Sequence, residues 1–354
     1  MGKTLFDSPS FANHEGVHAF HDEKTGLKAI VAVHSTARGP AVGGTRMWNY
    51  ATAAEALEDV LRLSKGMSYK NAVADLEMGG GKSVIIGNPR TGKSEALLRA
   101  MGRSVERAGG RYIVAEDSGT SVADMKVMAQ ETAHVSGIHD KATGDGGHRS
   151  GDPSPATAYG VFTGLKAAVR HRLGRTDLDG LTVAVQGVGN VGGHLARLLK
   201  DAGARLILAD IDTARVTVLA RELGAEVTTV ERIFDAAADV FAPCALGSVL
   251  NDDTIPRLRC AVVAGAANNQ LGRPHHGEEI RRRGILYAPD YVINAGGIID
   301  IHHERTGYNP EKAIRHIEAI GPTLAEIFAR ADTEGQPTGA IADAMARERI
   351  GKRR

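Results

Sequence analysis

The chain has 354 residues, of which 42% are hydrophobic and 24% are charged, and this is the composition of a soluble globular protein with about two domains. Lys and Arg total 43 against 42 Asp and Glu, which leaves no excess charge to attract nucleic acid or a membrane surface, and apolar runs are too short to cross a bilayer. The N-terminus lacks the apolar core of a signal peptide, and the two cysteines have neither metal-binding nor redox spacing, so we expect a reduced, cytoplasmic enzyme.

The first predicted elements are two strands around a turn, in residues 16–34. Apolar side chains alternate only partly in the second strand, which predicts a sheet without fixing its faces. Residues 38–46 (RGPAVGGTR) then predict a glycine-rich loop. Its backbone can approach a ligand closely, although an ordinary tight loop explains the same composition equally well.

A helix is predicted to begin at Thr52, which forms a capping-box pattern with Glu55, and to end near residues 65–66. Two motifs that contain lysine come next. Lys70 stands directly after the predicted helix, and Lys82 stands between three glycines and a strand-like apolar run. That position is unusual for a solvated surface lysine, which makes Lys82 a candidate functional residue.

Residues 87–94 (GNPRTGKS) match the GxxxxGK[ST] pattern of a phosphate-binding loop between a strand-like run and a predicted helix. In that interpretation Lys93 and Ser94 bind a nucleoside triphosphate. The simpler interpretation is a polar turn in which Ser94 is the N-cap of the next helix. We favour the simpler one because a complete nucleotide site follows later in the chain.

The stretch from Leu181 to Asp210 has the order strand, glycine loop, helix, strand and acid that a dinucleotide-binding βαβ unit requires. Gly187 permits the tight turn, Gly189 lets the backbone approach a pyrophosphate, and Gly192 lets the helix lie close to the strand. The helix N-terminus offers free N–H groups to the phosphates. Because all these parts agree, a nucleotide site is favoured over glycines that merely pack a βαβ unit.

Asp210 also predicts which nucleotide binds. Its carboxylate can accept hydrogen bonds from an adenosine ribose and would repel a 2′-phosphate, so NAD is predicted rather than NADP. Apolar runs in residues 239–247, 260–269 and 285–290 complete a parallel sheet of about six strands. Ligands bind beyond the carboxyl ends of such strands, and further cofactor contacts are therefore predicted at Cys244, Ala245, Ala266 and Asn268, and at Asn294 in the predicted turn NAGG.

The histidine pairs at 275–276 and 302–303 do not predict a metal site. Adjacent histidines point in different directions, and no Cys or Asp falls at ligand spacing beside them, so no metal is expected. Cys244 could be a nucleophile, but a small buried residue is the better interpretation.

Eight motifs lie in order along nearly the whole chain. They are GPAVGGTRMW (39–48), GMSYKNA (66–72), MGGGKSVIIG (78–87), RYIVAEDSGT (111–120), VQGVGNVG (185–192), APCALG (242–247), AGAANNQL (264–271) and YAPDYVINAGG (287–297). Together these motifs resemble those of the amino acid dehydrogenase family of leucine, valine and phenylalanine dehydrogenases, which is related to glutamate dehydrogenase. The set is far more specific than any one motif.

The resemblance implies a role for each matching residue. Lys70 would bind the substrate carboxylate, Lys82 would be the catalytic lysine, and Asp117 would handle the proton of the amino group. Gly43 and Gly44 would line the substrate. Asn268 would lie between the substrate carboxylate and the nicotinamide, and NAD would be held by Thr157, Gly187, Gly189, Asn190, Val191, Gly192 and Asp210.

This set of residues suits the oxidation of an amino acid. One lysine holds the carboxylate and orients the Cα hydrogen, which leaves as hydride and produces an iminium. A second lysine, Lys82, activates the water that attacks the iminium, provided that burial and the neighbouring ammonium favour its neutral form. Asp117 takes the ammonium proton and returns one to the departing ammonia. The products are a 2-oxo acid, ammonia and NADH, and the reverse reaction is a reductive amination.

Substrate choice is predicted less sharply. The positions assigned to the side-chain pocket, Val42, Ala115, Ile298 and Ile301, are aliphatic, which excludes glutamate and favours an apolar amino acid. Leucine, valine and isoleucine are preferred over phenylalanine because branched side chains fill space, although apolar pockets discriminate by only about 1–3 kcal/mol per methylene. Two other classes stay open, a nucleoside triphosphatase that uses residues 87–94 and a non-catalytic NAD sensor.

The predicted fold class is α/β, with an N-terminal substrate and oligomerisation domain, a C-terminal Rossmann NAD-binding domain and a cleft between them. The predicted boundaries are 1–141 and 142–334, and a C-terminal segment, 335–354, is expected to pack back on the first domain. The Gly-rich residues 142–152 have a hinge composition. The resemblance implies a homo-oligomer, either a dimer or a larger assembly such as an octamer.

Overall fold

The structure, a computed structural model, describes residues 5–8, 10–139, 141–142, 148–149, 152–245 and 247–351. It divides into two compact units. The first contains the chain up to Asp152, Ile301–Pro310 and the C-terminal residues from Ala346, and the second contains Pro153–Asp300 and Glu311–Met345. Most of the predicted hinge, 142–152, lies outside the described residues.

The first half of the chain builds a mixed sheet. Its order is β1-β2-β4-β3-β5, in which β1, β2 and β4 are antiparallel neighbours and β3 lies parallel between β4 and β5. The elements are β1 (Gly16–Asp22), β2 (Leu27–Ser35), β3 (Ala41–Trp48), α1 (Ala53–Val73), β4 (Gly79–Ile86), α2 (Glu95–Arg107), β5 (Tyr112–Glu116), α3 (Val122–Met128), β6 (Lys141–Ala142) and β7 (His148–Arg149).

Helices cover both faces of this sheet. On one face, α2 and α3 form a buried core with the sheet that includes Leu97, Met101 and Met125. On the other face, α1 packs Val60 and Leu61 against β2 and β4. The predicted strand pair in residues 16–34 is therefore confirmed, and the helices settle which side chains are buried.

The loop predicted at residues 38–46 is largely a strand, and that prediction is wrong. β3 pairs on both sides, with β4 and with β5, because Gly43 and Gly44 allow the three backbones to approach closely. A Cβ at Gly43 would lie 1.9 Å from the carbonyl oxygen of Gly81, and one at Gly44 would lie 2.4 Å from that of Glu116. Gly43 and Gly44 are therefore explained by the close packing of three strands and not by a loop.

Helix α1 begins where the sequence predicts and ends later than predicted. The Thr52 side chain accepts a hydrogen bond from the Glu55 N–H, while the Glu55 carboxylate accepts from Ala51, one residue before the cap. The helix does not stop at Gly66 but runs to Val73. Gly66 is exposed, and its cost of about 1 kcal/mol in a helix is outweighed by the residues that α1 buries beyond it, which are Ser68, Tyr69, Asn71, Ala72 and Val73.

The second half of the chain builds a parallel sheet, as predicted. Within the described residues it has six strands in the order β10-β9-β8-β11-β12-β13. The elements are α4 (Ser154–Leu173), β8 (Thr182–Gln186), α5 (Asn190–Asp201), β9 (Arg205–Ala209), α6 (Thr213–Leu223), β10 (Glu226–Val227), β11 (Val240–Pro243), β12 (Val262–Val263), α7 (His276–Arg282), β13 (Leu286–Tyr287), α8 (Asp290–Ile293), α9 (Gly296–Arg305), α10 (Pro310–Glu318), α11 (Ile320–Glu334) and α12 (Thr338–Gly351).

Two later segments refine the sequence analysis. The predicted turn at residues 294–297 is also the start of α9, because a Cβ at Gly296 would lie 2.1 Å from the carbonyl oxygen of Ala156 and only glycine lets α9 begin there. At the C-terminus, the Arg349 guanidinium donates to the carbonyl of Val73 at 2.6 Å. Among the described helices, none combines the length and the apolarity that a membrane span requires.

The packing of α1 on β4 predicts opposite effects for two glycine substitutions. A Cβ at Gly80 would lie 2.0 Å from the backbone nitrogen of Ser68, so Gly80→Ala should lower the free energy of unfolding by about 3 kcal/mol. Gly66, in α1, has open space around its Cα, so Gly66→Ala should raise that free energy by about 0.5–1 kcal/mol. Urea unfolding measures both, and equal shifts in the same direction would contradict the packing described here.

Candidate active site

The two residues with predicted catalytic roles lie in contact. Lys82, in β4, is 6% exposed, and its Nζ lies 2.9 Å from Oδ2 of Asp117, which follows the carboxyl end of β5. A buried ammonium needs such a counter-ion, since an unpaired charge in the interior is unstable. The pairing explains why a lysine can occupy the middle of a buried strand.

A second cation contacts the same carboxylate oxygen. The Nε of Arg46, in β3, lies 3.2 Å from Asp117 Oδ2. Although burial alone would raise the pKa of the Asp117 carboxyl, the charges of Lys82 and Arg46 outweigh it and lower that pKa to about 2. The sequence analysis did not identify Arg46, and its only signal was its place directly after the Gly-Gly-Thr of the 39–48 motif.

Arg46 is itself held by a wider network. Its Nη1 donates to Oδ2 of Asp59 at 2.9 Å, and the same oxygen accepts from the Tyr50 hydroxyl at 2.7 Å. Arg62 donates to the other Asp59 oxygen at 2.9 Å. Burial opposes the ionisation of Asp59, but its bonds to Tyr50 and the two arginines lower its pKa.

The backbone around Asp117 is fixed by the turn that follows β5. The Asp117 N–H donates to Oγ1 of Thr120 at 3.0 Å, and that hydroxyl donates to the carbonyl of Thr45 at 2.8 Å. Gly119 has a φ of +81°, and a Cβ there would lie 2.1 Å from the carbonyl oxygen of Met47. The turn therefore ties Asp117 to β3.

The glycine pair of β3 lies in the same part of the first unit. The Tyr112 hydroxyl donates to the carbonyl of Gly43 at 2.7 Å and contacts Ser83 Oγ at 3.0 Å. Ser83 in turn contacts Thr45 Oγ1 at 2.5 Å. This buried polar cluster lies behind Gly43 and Gly44 and holds β3, β4 and β5 in register.

Lys70 lies on α1, near the amino end of β4. Its neighbour Asn71 donates to the carbonyl of Gly79 at 2.6 Å, and Met67, one turn earlier, has Cγ 3.2 Å from where a Gly43 Cβ would lie. Residues three apart share a face of a helix, so Lys70 extends from the side of α1 that faces the glycine pair. The predicted pocket residues Val42, Ala115, Ile298 and Ile301 are all buried.

The glycine loop of the second unit has the predicted geometry. Gly187 has a φ of +90°, and a Cβ at Gly192 would lie 2.0 Å from the Gly187 carbonyl oxygen. A Cβ at Gly189, by contrast, would approach only Nη1 of Arg215, at 3.8 Å, so space remains over the loop for a ligand. Helix α5 begins at Asn190 without a side-chain cap, which leaves its first N–H groups available for a phosphate.

Asp210 is fixed at the end of β9. Oδ2 accepts from the Val188 N–H at 2.7 Å, and Oδ1 accepts from the Asp212 N–H at 2.8 Å. The carboxylate is thereby held beside the glycine loop. These bonds orient a group that can accept hydrogen bonds from a ribose.

The predicted contacts at the ends of β11 and β12 also come together. Cys244 donates its N–H to the carbonyl of Gln186 at 2.7 Å, and a Gly187 Cβ would lie 2.7 Å from the nitrogen of Ala245. The Asn294 amide donates to Oδ1 of Asn268 at 2.7 Å and to the carbonyl of Ala266 at 3.0 Å. Burial raises the pKa of the Cys244 thiol to about 12, which does not suit a nucleophile.

Thr157 lies in the first turn of α4. Its hydroxyl donates to the carbonyl of Pro153 at 2.9 Å and lies 2.6 Å from where a Gly297 Cβ would be. It therefore borders the start of α9, which follows Asn294.

The phosphate-loop pattern at residues 87–94 is a connecting turn. Ser94 is the N-cap of α2 and accepts from the Leu97 N–H at 3.2 Å. The Lys93 ammonium lies 2.7 Å from Asp124, within the cap of α3. The Ser94 cap confirms the simpler interpretation, and the Lys93–Asp124 pair, which the sequence did not predict, joins this turn to the cap of α3.

The histidine pair at 275–276 has a carboxylate neighbour that the spacing did not indicate. Ligand atoms of Asp252, His275, His276 and Glu279 lie within 4.8 Å of one another. Nδ1 of His276 accepts the Arg273 N–H at 2.9 Å, so Nε2 carries the proton and donates to Asp252 at 3.0 Å. This tautomer directs an N–H, not a lone pair, at the centre of the cluster.

Two protein-family models match this chain, one in its first half and one in its second half. The family model described as Glu/Leu/Phe/Val dehydrogenase, dimerisation domain, matches residues 14–134, and the model described as Glutamate/Leucine/Phenylalanine/Valine dehydrogenase matches residues 146–214 and 207–309. Leucine dehydrogenase of Geobacillus stearothermophilus is 51% identical over 346 residues, which cover 98% of this chain and 93% of that protein.

Two further relatives are also named as dehydrogenases of amino acids. Valine dehydrogenase of Streptomyces virginiae is 47% identical over 350 residues, which cover 98% of this chain and 96% of that protein. The crystal structure of L-tryptophan dehydrogenase from Nostoc punctiforme superimposes with a TM-score of 0.83 at 42% identity, and the match covers 98% of this chain and 99% of that chain.

The charge pair at Asp117 predicts a pH-dependent contribution to stability. Its pKa is about 2 in the folded chain against 3.8 for an ordinary aspartate, so the contribution is present above pH 3.8 and is lost as the pH falls through about 2. The difference in unfolding free energy between the parent and Asp117→Asn should change by about 2 kcal/mol between pH 5 and pH 2. Denaturant titrations at several pH values measure it, and a constant difference would contradict the pairing.

Proposed function

The chain belongs to the glutamate, leucine, phenylalanine and valine dehydrogenase family, and from that premise we propose that it catalyses the reversible, NAD-dependent oxidative deamination of a branched-chain L-amino acid. It is an amino acid dehydrogenase, since its relatives at about half identity over nearly the full chain are leucine and valine dehydrogenases. The proposal concerns the substrate, the cofactor and the roles of individual residues.

The observation that carries these roles is the buried contact between Lys82 and Asp117. In the proposed roles these two side chains are a base and a proton carrier, and they lie next to the glycine pair that would line the substrate. The amino acid arrives as a zwitterion, and Lys70 would hold its carboxylate. The substrate's Cα and ammonium would then face Lys82 and Asp117.

The proton steps can be assigned to named atoms. The Asp117 carboxylate accepts a proton from the substrate ammonium, and the Cα hydrogen leaves with its electron pair, which produces an iminium. Neutral Lys82 Nζ takes a proton from water as its oxygen attacks the iminium carbon. Lys82 then returns this proton to the amine of the carbinolamine and, neutral again, takes the hydroxyl proton as the C–N bond breaks, which leaves the 2-oxo acid and ammonia. Asp117 gives its proton to the departing ammonia, and Lys82 releases its proton to solvent.

The second unit fits a dinucleotide. Gly187 to Gly192 and the N-terminus of α5 would hold the pyrophosphate, and the fixed carboxylate of Asp210 would accept from the ribose. Asn268, oriented by Asn294, would contact the nicotinamide side together with Thr157. When bound, the nicotinamide ring accepts the hydride from Cα.

The aliphatic pocket positions support a branched-chain substrate. Val42, Ala115, Ile298 and Ile301 are buried and carry no charge that could meet the side-chain carboxylate of glutamate. An aromatic amino acid is the second candidate, because a structural relative with a TM-score of 0.83 is an L-tryptophan dehydrogenase. A phenylalanine preference belongs to that same alternative.

A homo-oligomer and a cytoplasmic location are also part of the proposal, and each is supported by a single observation. The family model that matches residues 14–134 is described as a dimerisation domain, which supports a homo-oligomer built through the first unit. Both Cys244 and Cys260 are free thiols, as is usual in the cytoplasm.

A panel of L-amino acids tests the reaction. With NAD, formation of NADH should be fastest with leucine, valine or isoleucine, slower with phenylalanine and tryptophan, and absent with glutamate. Lys82→Ala should lower kcat by about a thousandfold, because the general base is lost. Lys93→Ala is the matched control, and loss of its partly exposed ion pair should leave kcat within about twofold. A parent enzyme that forms no NADH with any amino acid would refute the proposal.

Cofactor choice depends on Asp210. Asp210→Ser should lower kcat/KM for NAD by about tenfold and raise the activity with NADP relative to NAD, because a hydrogen-bond acceptor and a repulsive charge are removed. Asp212→Asn, at the N-cap of α6, is the control and should keep the preference for NAD. If Asp210→Ser leaves the ratio of the two activities unchanged, Asp210 does not select the nucleotide.

A further inference from the structure

Asp117 has two cationic neighbours at one oxygen. Lys82 Nζ lies 2.9 Å and Arg46 Nε lies 3.2 Å from Oδ2. The proposed function uses only the lysine. The arginine needs its own explanation, because its side chain is only 19% exposed and reaches this position across the sheet from β3.

The proposed chemistry creates a problem that Arg46 can solve. When Lys82 gives up its proton to become a base, Asp117 loses its ammonium neighbour and is left as a buried carboxylate. Such a carboxylate tends to take up a proton and to turn away. A guanidinium remains charged throughout, so Arg46 keeps a cation on Asp117 Oδ2 in both states of Lys82.

The surroundings of Arg46 hold it in place for this purpose. Its Nη1 donates to Asp59 at 2.9 Å, and Asp59 is also bound by the Tyr50 hydroxyl and by Arg62. Burial disfavours the charge of Arg46, but Asp117 and Asp59 together raise its pKa. One guanidinium thus bridges two carboxylates, one at the proposed site and one on α1.

We propose that Arg46 is a positioning residue for the reaction, which keeps Asp117 ionised and oriented while Lys82 is neutral and which thereby makes the neutral lysine accessible at lower pH. This inference rests on the proposed roles of Lys82 and Asp117. It adds a function for the Arg46–Asp59 pair that the fold alone does not require.

The inference predicts opposite pH effects for the two members of that pair. The ionisable groups around Asp117 are Lys82 on β4, Arg46 on β3, Tyr112 on β5 and Tyr50 after β3, and Arg46 also contacts Asp59 on α1. Removing a positive neighbour makes proton loss from the Lys82–Asp117 pair harder, and removing a negative neighbour makes it easier.

The experiment is the pH profile of kcat/KM for L-leucine at saturating NAD, measured for the parent and four variants. In this profile the acid limb is the range of pH over which kcat/KM rises from its low value at acid pH. Arg46→Gln should move the acid limb to higher pH by about one unit. Asp59→Asn should move it down by about half a unit, and Arg46→Lys, which keeps the charge, should stay within about 0.3 unit of the parent. Arg99→Gln is the matched control, because Arg99 is partly exposed and pairs with Glu131 instead of Asp59 or Asp117, and its limb should match the parent's.

The outcomes separate the inference from the proposed function. If Arg46 has only a structural role, its variants lose activity evenly across pH and their acid limbs coincide with that of the parent. That result overturns the inference. The proposed function still stands in that case, provided that the parent is active and Lys82→Ala is not. If Arg46→Gln does not fold, the downward shift with Asp59→Asn together with the unchanged limb of Arg46→Lys still decides. A parent without turnover overturns both.

Discussion

The structure depends on the pairing of buried opposite charges across three parallel strands. Lys82 can occupy the interior of β4 because Asp117 lies 2.9 Å away at the end of β5, and Asp117 stays ionised because Lys82 and, from β3, Arg46 both contact its Oδ2. Each group would be unstable in the interior without the others. The order β4-β3-β5 therefore positions the chemistry, since it brings three distant segments of the chain to one oxygen atom.

Close backbone packing makes this arrangement possible. Gly43 and Gly44 let β3 lie between its neighbours, and Gly80 lets α1 lie directly on β4. Without side chains at these positions, the backbone approaches the site where a substrate is proposed to bind, and α1 is the helix that carries Lys70. The same principle operates in the second unit, where Gly192 permits α5 to lie against the turn after β8.

Much of this could be predicted from the sequence. The βαβ unit from Leu181 to Asp210 has local signals that agree with one another, and the six-stranded parallel sheet follows it in the structure. The N-cap of α1 at Thr52 and the N-cap of α2 at Ser94 could also be predicted, because their signals lie within a few residues of each cap. Failures occurred where tertiary packing overrode local preference. Glycines at 43 and 44 indicated a loop but form a paired strand, and Gly66 indicated a helix end but lies within α1.

The parts of the site that could not be predicted are contacts between distant residues. Nothing in the sequence indicated that Arg46 contacts both Asp117 and Asp59, or that Asp252 lies next to His276, because each pair is joined only by the fold. Roles for Lys70, Lys82 and Asp117 came from resemblance to a family. The structure adds the physical reason that a lysine, an arginine and an aspartate share a buried position.

The most direct test of the account is a crystal structure of the protein with NAD and a branched 2-oxo acid bound. It should show Lys70 Nζ about 3 Å from the carboxylate of the oxo acid and Lys82 Nζ at a similar distance from its 2-oxo oxygen, with Asp117 beside Lys82. An oxo acid bound away from Lys82 and Asp117, with both still paired to each other and neither contacting the ligand, would contradict it.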